Sequence, residues 1–259
     1  PPCAHKIVAE GCRKVVIGCL DPNPIVRGNG VKYLKDHGVE VMSPFCESKA
    51  NYLISKFKAN LGKKPYIILK WAQSKDNYIS KIGEQTWLTS QATGILTHKW
   101  RTEVDGILIG KSTALIDNPS LTSRHYFGQN PLRIILDTHL SLPIDLNIYK
   151  DEVPTWTITQ NAVQNDNKKE QLVVTDVRHL NDILDLIYKK GIFSIIVEGG
   201  AQVLKSFIDQ NLWHEARIIK TKVLLKDGIS SPNVEGKLID YSVIGDDEIL
   251  YIENPNQKF

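Results

Sequence analysis

Three short segments of this 259-residue chain carry residue types able to move protons, hold phosphates or polarise a carbon. In Ile68-Leu69-Lys70-Trp71-Ala72-Gln73-Ser74-Lys75-Asp76-Asn77 an apolar run turns polar, and Lys70 interrupts it. Taken alone, Lys70 reads slightly better as a lysine snorkelling from a strand edge than as a charge or proton source beside a bound molecule. The stretch 113–124 contains Asp117-Asn118-Pro119, ordinary turn chemistry whose simplest reading is a plain loop. Its functional content is the carboxylate of Asp117 and the guanidinium of Arg124, whose planar donor fork suits a phosphate; Arg101 on the preceding helix can join it. In Ile195-Ile196-Val197-Glu198-Gly199-Gly200-Ala201-Gln202 a buried-type strand ends in a carboxylate, and two glycines open a helix. Backbone N–H groups at such a helix start hold phosphates. The segment lacks the G-x-G-x-x-G spacing and its distal acid, so a tight strand-to-helix turn is the plainer reading.

The elements that must position these segments follow from periodicity. Strands are expected at 66–69, 107–109, 133–136, 156–159, 172–175, 195–197, 218–225 and 249–252, with helices at 91–103, 180–189 and 201–210. That alternation predicts an α/β fold: a mainly parallel sheet with helices on both faces and an antiparallel edge near the end. All three segments would then lie past the carboxyl ends of strands, where such sheets bind ligands. Ahead of them, a helix at 4–10, a strand at 14–20, a Pro/Gly turn at 21–24, a helix at 31–36, a strand at 39–42 and a helix at 48–61 make a separate βαβ-like unit. Gly62-Lys63-Lys64-Pro65 reads as the linker, giving units 1–62 and 63–259. The polar stretch 161–170 reads as a mobile loop.

Composition excludes several classes. With 42% hydrophobic and 24% charged residues the chain is of ordinary globular composition, and 32 Lys+Arg against 29 Asp+Glu leave a formal charge of +3. So small an imbalance argues against a nucleic-acid or acidic-membrane partner. No run reaches the roughly 18 apolar residues of a membrane span. Cys3, Cys12, Cys19 and Cys46 all fall in the first fifth of the chain, which is not a secreted disulfide framework and predicts a reducing, cytoplasmic setting. Cys12, Cys19 and Cys46 read as small buried residues, and His5 as a solvated histidine on a short helix. The start, Pro1-Pro2-Cys3, looks cut into.

Together the ordered segments resemble one family: the bifunctional riboflavin-biosynthesis deaminase/reductase, whose reductase half has a dihydrofolate-reductase-like fold. The resemblance rests on Leu69-Lys70 with Ser74-Lys75-Asp76, Trp87-Leu88-Thr89-Ser90, Asp117-Asn118-Pro119 with Leu121-Thr122 and Arg124, and Val197-Glu198-Gly199-Gly200. It implies hydride transfer from NADPH to C1 of a phosphoribosylaminopyrimidine in its open-chain imine form. Carried over by position, Ala72, Trp87, Thr113, Asp117 and Thr138 line the NADPH site, and Gly200, Ala201, Gln202, Val203, Leu204, Lys205 and Ser206 wrap its phosphates. Gln85, Arg101, Leu121, Arg124 and Glu198 face the substrate, the two arginines toward its phosphate. Lys70, Asp117 and Glu198 surround the reacting carbon. Many relatives carry a small hydroxyl residue where this chain has Gln85, so that contact is expected to differ. A homo-oligomer is also implied.

The first unit resembles the second half of the same family's cytidine-deaminase-like domain. Cys3 would be the last protein ligand of a catalytic Zn²⁺, its partners lying upstream, so zinc belongs only to an intact deaminase domain. Three rival readings remain: a pterin or other pyrimidine reductase, which would lack the arginine pair; a nucleic-acid-editing deaminase, disfavoured by charge; and a binding protein on a dead reductase fold.

Overall fold

The computed structural model describes residues 2–161 and 169–257; most of the stretch read as a mobile loop, residues 162–168, lies outside the described residues. The chain divides into two compact units, Pro1–Lys63 and Lys64–Lys258.

The first unit contains α1 (Cys3–Ala9), β1 (Lys14–Val16), α2 (Asn29–Asp36), β2 (Glu40–Met42), α3 (Glu47–Leu53) and α4 (Ser55–Leu61). Strands β1 and β2 pair in parallel, Val15 opposite Val41. Residues 48–61, expected as one helix, are two: Ile54 takes φ −98 and ψ 10, a bridge-region conformation that breaks the helix between α3 and α4. The expected burial of the cysteines is also wrong, since Cys12 and Cys46 are exposed and Cys19 is only half-buried. A small unit encloses little surface: Leu34, Val39 and Ala59 are its buried apolar residues among those described. His5 is exposed, as expected, and stacks on Tyr33 with ring centroids 4.1 Å apart.

The second unit runs β3 (Tyr66–Gln73), β4 (Tyr78–Ser80), α5 (Gln91–Thr102), β5 (Gly106–Gly110), α6 (Lys111–Asp117), β6 (Leu132–Leu136), β7 (Thr155–Thr159) and β8 (Lys169–Val173). It continues with α7 (Leu180–Lys189), β9 (Ser194–Val197), α8 (Ala201–Asp209), β10 (Glu215–Lys220), β11 (Ile229–Ser230), β12 (Lys237–Ile244) and β13 (Asp247–Glu253). Among the described residues nine strands form one sheet in the order β12-β13-β10-β3-β9-β5-β6-β7-β8. From β10 to β8 all neighbours are parallel, and β13 and β12 close one edge antiparallel. The sheet is the mainly parallel, dihydrofolate-reductase-like one expected. Strand 218–225 was placed too late; the chain leaves the sheet after Lys220. The edge strand β12 was missed, because its mostly exposed residues lack an apolar run.

Continuous apolar strands fill the centre. β5 is buried at every position, as is β9, so both faces of the sheet must be covered. On one face Ile67, Leu69, Leu108, Ile134, Ile195 and Val197 pack against α7 and α8. α7 offers Leu180, Ile183, Leu184 and Ile187, the one-sided spacing of an amphipathic helix. On β3, alternation then turns Lys70 to the opposite face. The chain order decides where a ligand fits: β5 to β8 step outward on one side, and β9 returns to insert between β3 and β5. The carboxyl ends of β3, β9 and β5 therefore meet at a topological switch.

A buried histidine on the approach to β10 makes fold stability pH-dependent. The Ile67 N–H donates to Nδ1 of His214 at 3.0 Å, a bond that protonation of that nitrogen abolishes. Burial holds His214 down to about 4. Its folded value lies below the ordinary 6.5, so the stabilisation is complete above pH 6.5 and is lost as pH falls toward 4. Urea unfolding between pH 7 and pH 4.5 should show wild type losing stability, and His214→Gln losing less; parallel curves would contradict this.

Candidate active site

At the switch, β3 supplies Lys70 one residue past its pairing with β9, the residue after β9 supplies Glu198, and the last turn of α5 supplies Arg101. Arg101 grips Glu198 with two bonds, Nε to Oε1 and Nη2 to Oε2, each 2.8 Å, and its Nη1 donates to the Thr122 carbonyl at 2.9 Å. Lys70 Nζ lies 3.7 Å from Glu198 Oε2. All three side chains are largely buried, at 13%, 7% and 12% exposure for Lys70, Glu198 and Arg101. The snorkelling reading of Lys70 is thereby corrected: β3 has β10 and β9 on its two sides, so Lys70 is not at a sheet edge, and its ammonium turns to a carboxylate.

Electrostatics in this trio pull in opposite directions. Burial works to raise the Glu198 carboxyl, but Arg101 and Lys70 outweigh it and hold it at about 2. Lys70 is pushed down, chiefly by burial; Glu198 opposes the shift and Arg101 adds to it. The result is a fixed anion beside a lysine whose proton is easier to release than usual.

Asp117 stands apart from the trio. It is the last residue of α6, and its carboxylate makes no hydrogen bond or ion pair among the described residues, while its carbonyl accepts from Gln85 Nε2 at 2.9 Å. Burial raises its pKa. The helix itself was missed in the sequence, where this segment read as a loop. It spans seven residues, and left-handed Asn118 at φ 39 ends it.

The phosphate-cradle candidates separate. Gly110 N donates to Gly199 O at 3.1 Å, and a Cβ on Gly110 would sit 2.8 Å from Val203 Cγ2, so the start of α8 closes directly on the end of β5. Gly199 has φ +135, a conformation open to glycine. Gly200, the N-cap of α8, leaves the helix without a side-chain cap, so the first N–H groups are available. Thr113 Oγ1 would be 3.1 Å from a Cβ on Gly200 and therefore borders the same spot. Ala201 and Gln202 flank it, but Leu204 is fully enclosed in the core and has no face to offer a phosphate. Val203 packs on Gly110, Lys205 pairs with Asp209, and Ser206 Oγ donates to the Gln202 carbonyl.

Among the remaining candidates, Ala72 is half-buried near the end of β3, and Trp87 is 79% exposed. Thr138 directs its carbonyl to Gln160 N and Thr159 Oγ1. Leu121 is enclosed, with φ 51. Arg124 is exposed and donates to Thr122 Oγ1 at 3.2 Å. Sequence reasoning missed His98, one turn before Arg101 on the same helix face, and His125, next to Arg124; spacing of three along α5 was the available signal. Cys3 is exposed on α1.

Comparison with known proteins settles the lineage. Residues 65–225 match the RibD C-terminal domain. The chain is 30% identical over 270 aligned positions to riboflavin biosynthesis protein RibD of Aquifex aeolicus (strain VF5), covering 98% of this chain and 76% of that protein. The chain belongs to the RibD family. RibD of Bacillus amyloliquefaciens is 33% identical over 253 positions, 92% of this chain and 67% of that one. A crystal structure from Thermotoga maritima, described as a diaminohydroxyphosphoribosylaminopyrimidine deaminase/5-amino-6-(5-phosphoribosylamino)uracil reductase, superposes with a TM-score of 0.83 at 27% identity. That superposition covers 98% of this chain and 74% of the other. This chain is thus a riboflavin-biosynthesis protein carrying the RibD reductase part. No helix among the described residues is long and apolar enough to cross a membrane.

Proposed function

We propose that the second unit reduces 5-amino-6-(5-phosphoribosylamino)uracil with NADPH to the ribitylamino phosphate. The observation that carries this reading is the buried Lys70–Glu198–Arg101 trio at the mouth of β3 and β9, beside the glycine-lined start of α8. A cofactor phosphate fits that helix start, whose N–H groups are uncapped and whose glycines leave room. Gly200, Ala201, Gln202 and Thr113 would hold it, with Ala72, Trp87, Asp117 and Thr138 toward the rest of the dinucleotide. When bound, NADPH supplies a hydride.

The chain's own residues prepare the carbon that accepts it. Lys70 gives its proton to the ribose ring oxygen; the C1–O bond breaks, and the nitrogen lone pair forms C1=N⁺. The Glu198 carboxylate, ionised down to about pH 2, stabilises this cation in a site that excludes most water. Reduction at C1 leaves a neutral secondary amine, and Lys70 recovers its proton from solvent. Asp117, whose carboxylate makes no bond among the described residues and whose pKa is raised by burial, stays outside this proton step.

Arg101 is committed to Glu198 on one side of its fork, so the substrate phosphate falls chiefly to Arg124, which keeps most of its donors uncommitted. Arg124→Gln should raise KM for the phosphorylated substrate about tenfold or more with little change in kcat, measured by NADPH oxidation. An unchanged KM would remove Arg124 from the phosphate site. The reading carries the expectation of a cytoplasmic homo-oligomer.

The first unit is proposed as the C-terminal part of the deaminase domain. Among the described residues no three His, Cys, Asp or Glu side chains gather to hold a metal, and Cys3 alone does not make a zinc site. No zinc-dependent step is assigned to this chain.

A further inference from the structure

His98 on α5 is 7% exposed, yet its Nδ1 is enclosed and has no hydrogen-bond partner, an uncommon state for a buried ring nitrogen. His125 meets it edge-to-face, the ring centroids 4.7 Å apart at 84°. The loop carrying Arg124 and His125 is pinned: Ser123 N and Oγ both bond Asn130 Oδ1, at 2.8 and 3.0 Å. A Cβ on Gly128 would lie only 2.7 Å from Thr102 Cγ2, so the loop rests on the end of α5.

The groups that act on His98 are Arg101 from its own helix, Arg124, His125 and the Thr122 backbone from the loop, the last opposing the others, and Glu198 from the end of β9. The single carboxylate already serves Arg101 and Lys70. The surplus charge is positive, with His98 and Arg101 largely buried behind the exposed Arg124 and His125, and that is the field a phosphate dianion requires.

We propose that His98 and His125 complete the substrate's phosphate subsite beside Arg124, the His98 ring taking up a proton at Nδ1 when the phosphate binds against the exposed Arg124 and His125. This rests on the substrate reading above and adds residues to it. Burial first, then the neighbouring Arg101, His125 and Arg124, hold the free His98 at about 4, so the ring is neutral at pH 7 before binding. A dianion reverses the sign of that field and draws a proton onto the ring. Phosphate binding is therefore coupled to proton uptake.

The test compares wild type, His98→Gln and His125→Gln on the phosphoribosyl substrate and on its phosphate-free nucleoside, with thermal melting to confirm folding. His98→Gln should raise KM about tenfold or more for the phosphorylated compound, a much larger loss than it causes in kcat/KM for the nucleoside. His125→Gln, on an exposed loop, should act in the same direction. Calorimetric titration of the phosphorylated substrate in two buffers of different ionisation enthalpy should show proton uptake at pH 7.5 by wild type and none by His98→Gln. Equal losses on both compounds, or unaltered proton uptake in His98→Gln, would overturn the assignment. Wild type that turns over neither compound would instead overturn the reading on which it rests, and this inference with it.

Discussion

Lys70→Met is expected to lower kcat by about 10²–10⁴-fold, the usual contribution of a positioned proton donor, with KM for substrate and affinity for NADPH little changed. Methionine keeps the length and apolar stem of lysine and removes only the ammonium. The fold should survive, because Glu198 retains both bonds from Arg101, at 2.8 Å each. A melting temperature close to that of wild type, beside collapsed turnover, would separate chemistry from folding. Retained turnover would take the proton-donor role away from Lys70.

Glu198→Gln should be costly twice over. The amide leaves Arg101 and Lys70 as two buried cations with no carboxylate between them, a loss on the order of 3–5 kcal/mol for breaking a buried pair. The pH dependence fixes the sign. Glu198 is held at about 2 in the folded protein, below its ordinary 4.5, so its stabilisation is complete above pH 4.5 and is lost as pH falls toward 2. Urea unfolding should therefore show a large gap between wild type and Glu198→Gln at pH 7 that narrows by pH 3. Turnover should fall as well, about a hundredfold or more, because the cation at C1 loses its counter-charge. A gap that stays constant down to pH 3 would show that Glu198 acts by packing and not by charge.

Much of this was legible in the chain because the signals are local. The apolar runs of β3, β5 and β9, the one-sided pattern of α7 and the Glu198-Gly199-Gly200 turn each depend on neighbours within a few residues. What was not legible depends on distance. Lys70 and Glu198 are 128 positions apart and Arg101 lies 97 from Glu198, so no spacing rule announces that one carboxylate serves both. Arg101 read as a phosphate ligand because its fork was seen without the acid that occupies one side of it. His98 went unnoticed because its spacing of three from Arg101 is a weak signal until His125, on a loop folded back over α5, is beside it. The break at Ile54 and the exposed edge strand β12 were missed for a related reason: neither has a breaker residue or an apolar run to mark it.

The central claim is hydride delivery to C1 of the ribosylamine, and isotope transfer tests it most directly. The chain would be incubated with 5-amino-6-(5-phosphoribosylamino)uracil and NADPH deuterated at C4 of the nicotinamide, each face in turn, and the product examined by mass spectrometry and NMR. The account predicts one deuterium at C1 of the ribityl chain from one face only, and none with Lys70→Met on the same timescale. Deuterium at a pyrimidine carbon, or NADPH bound without any transfer to this substrate, would contradict it.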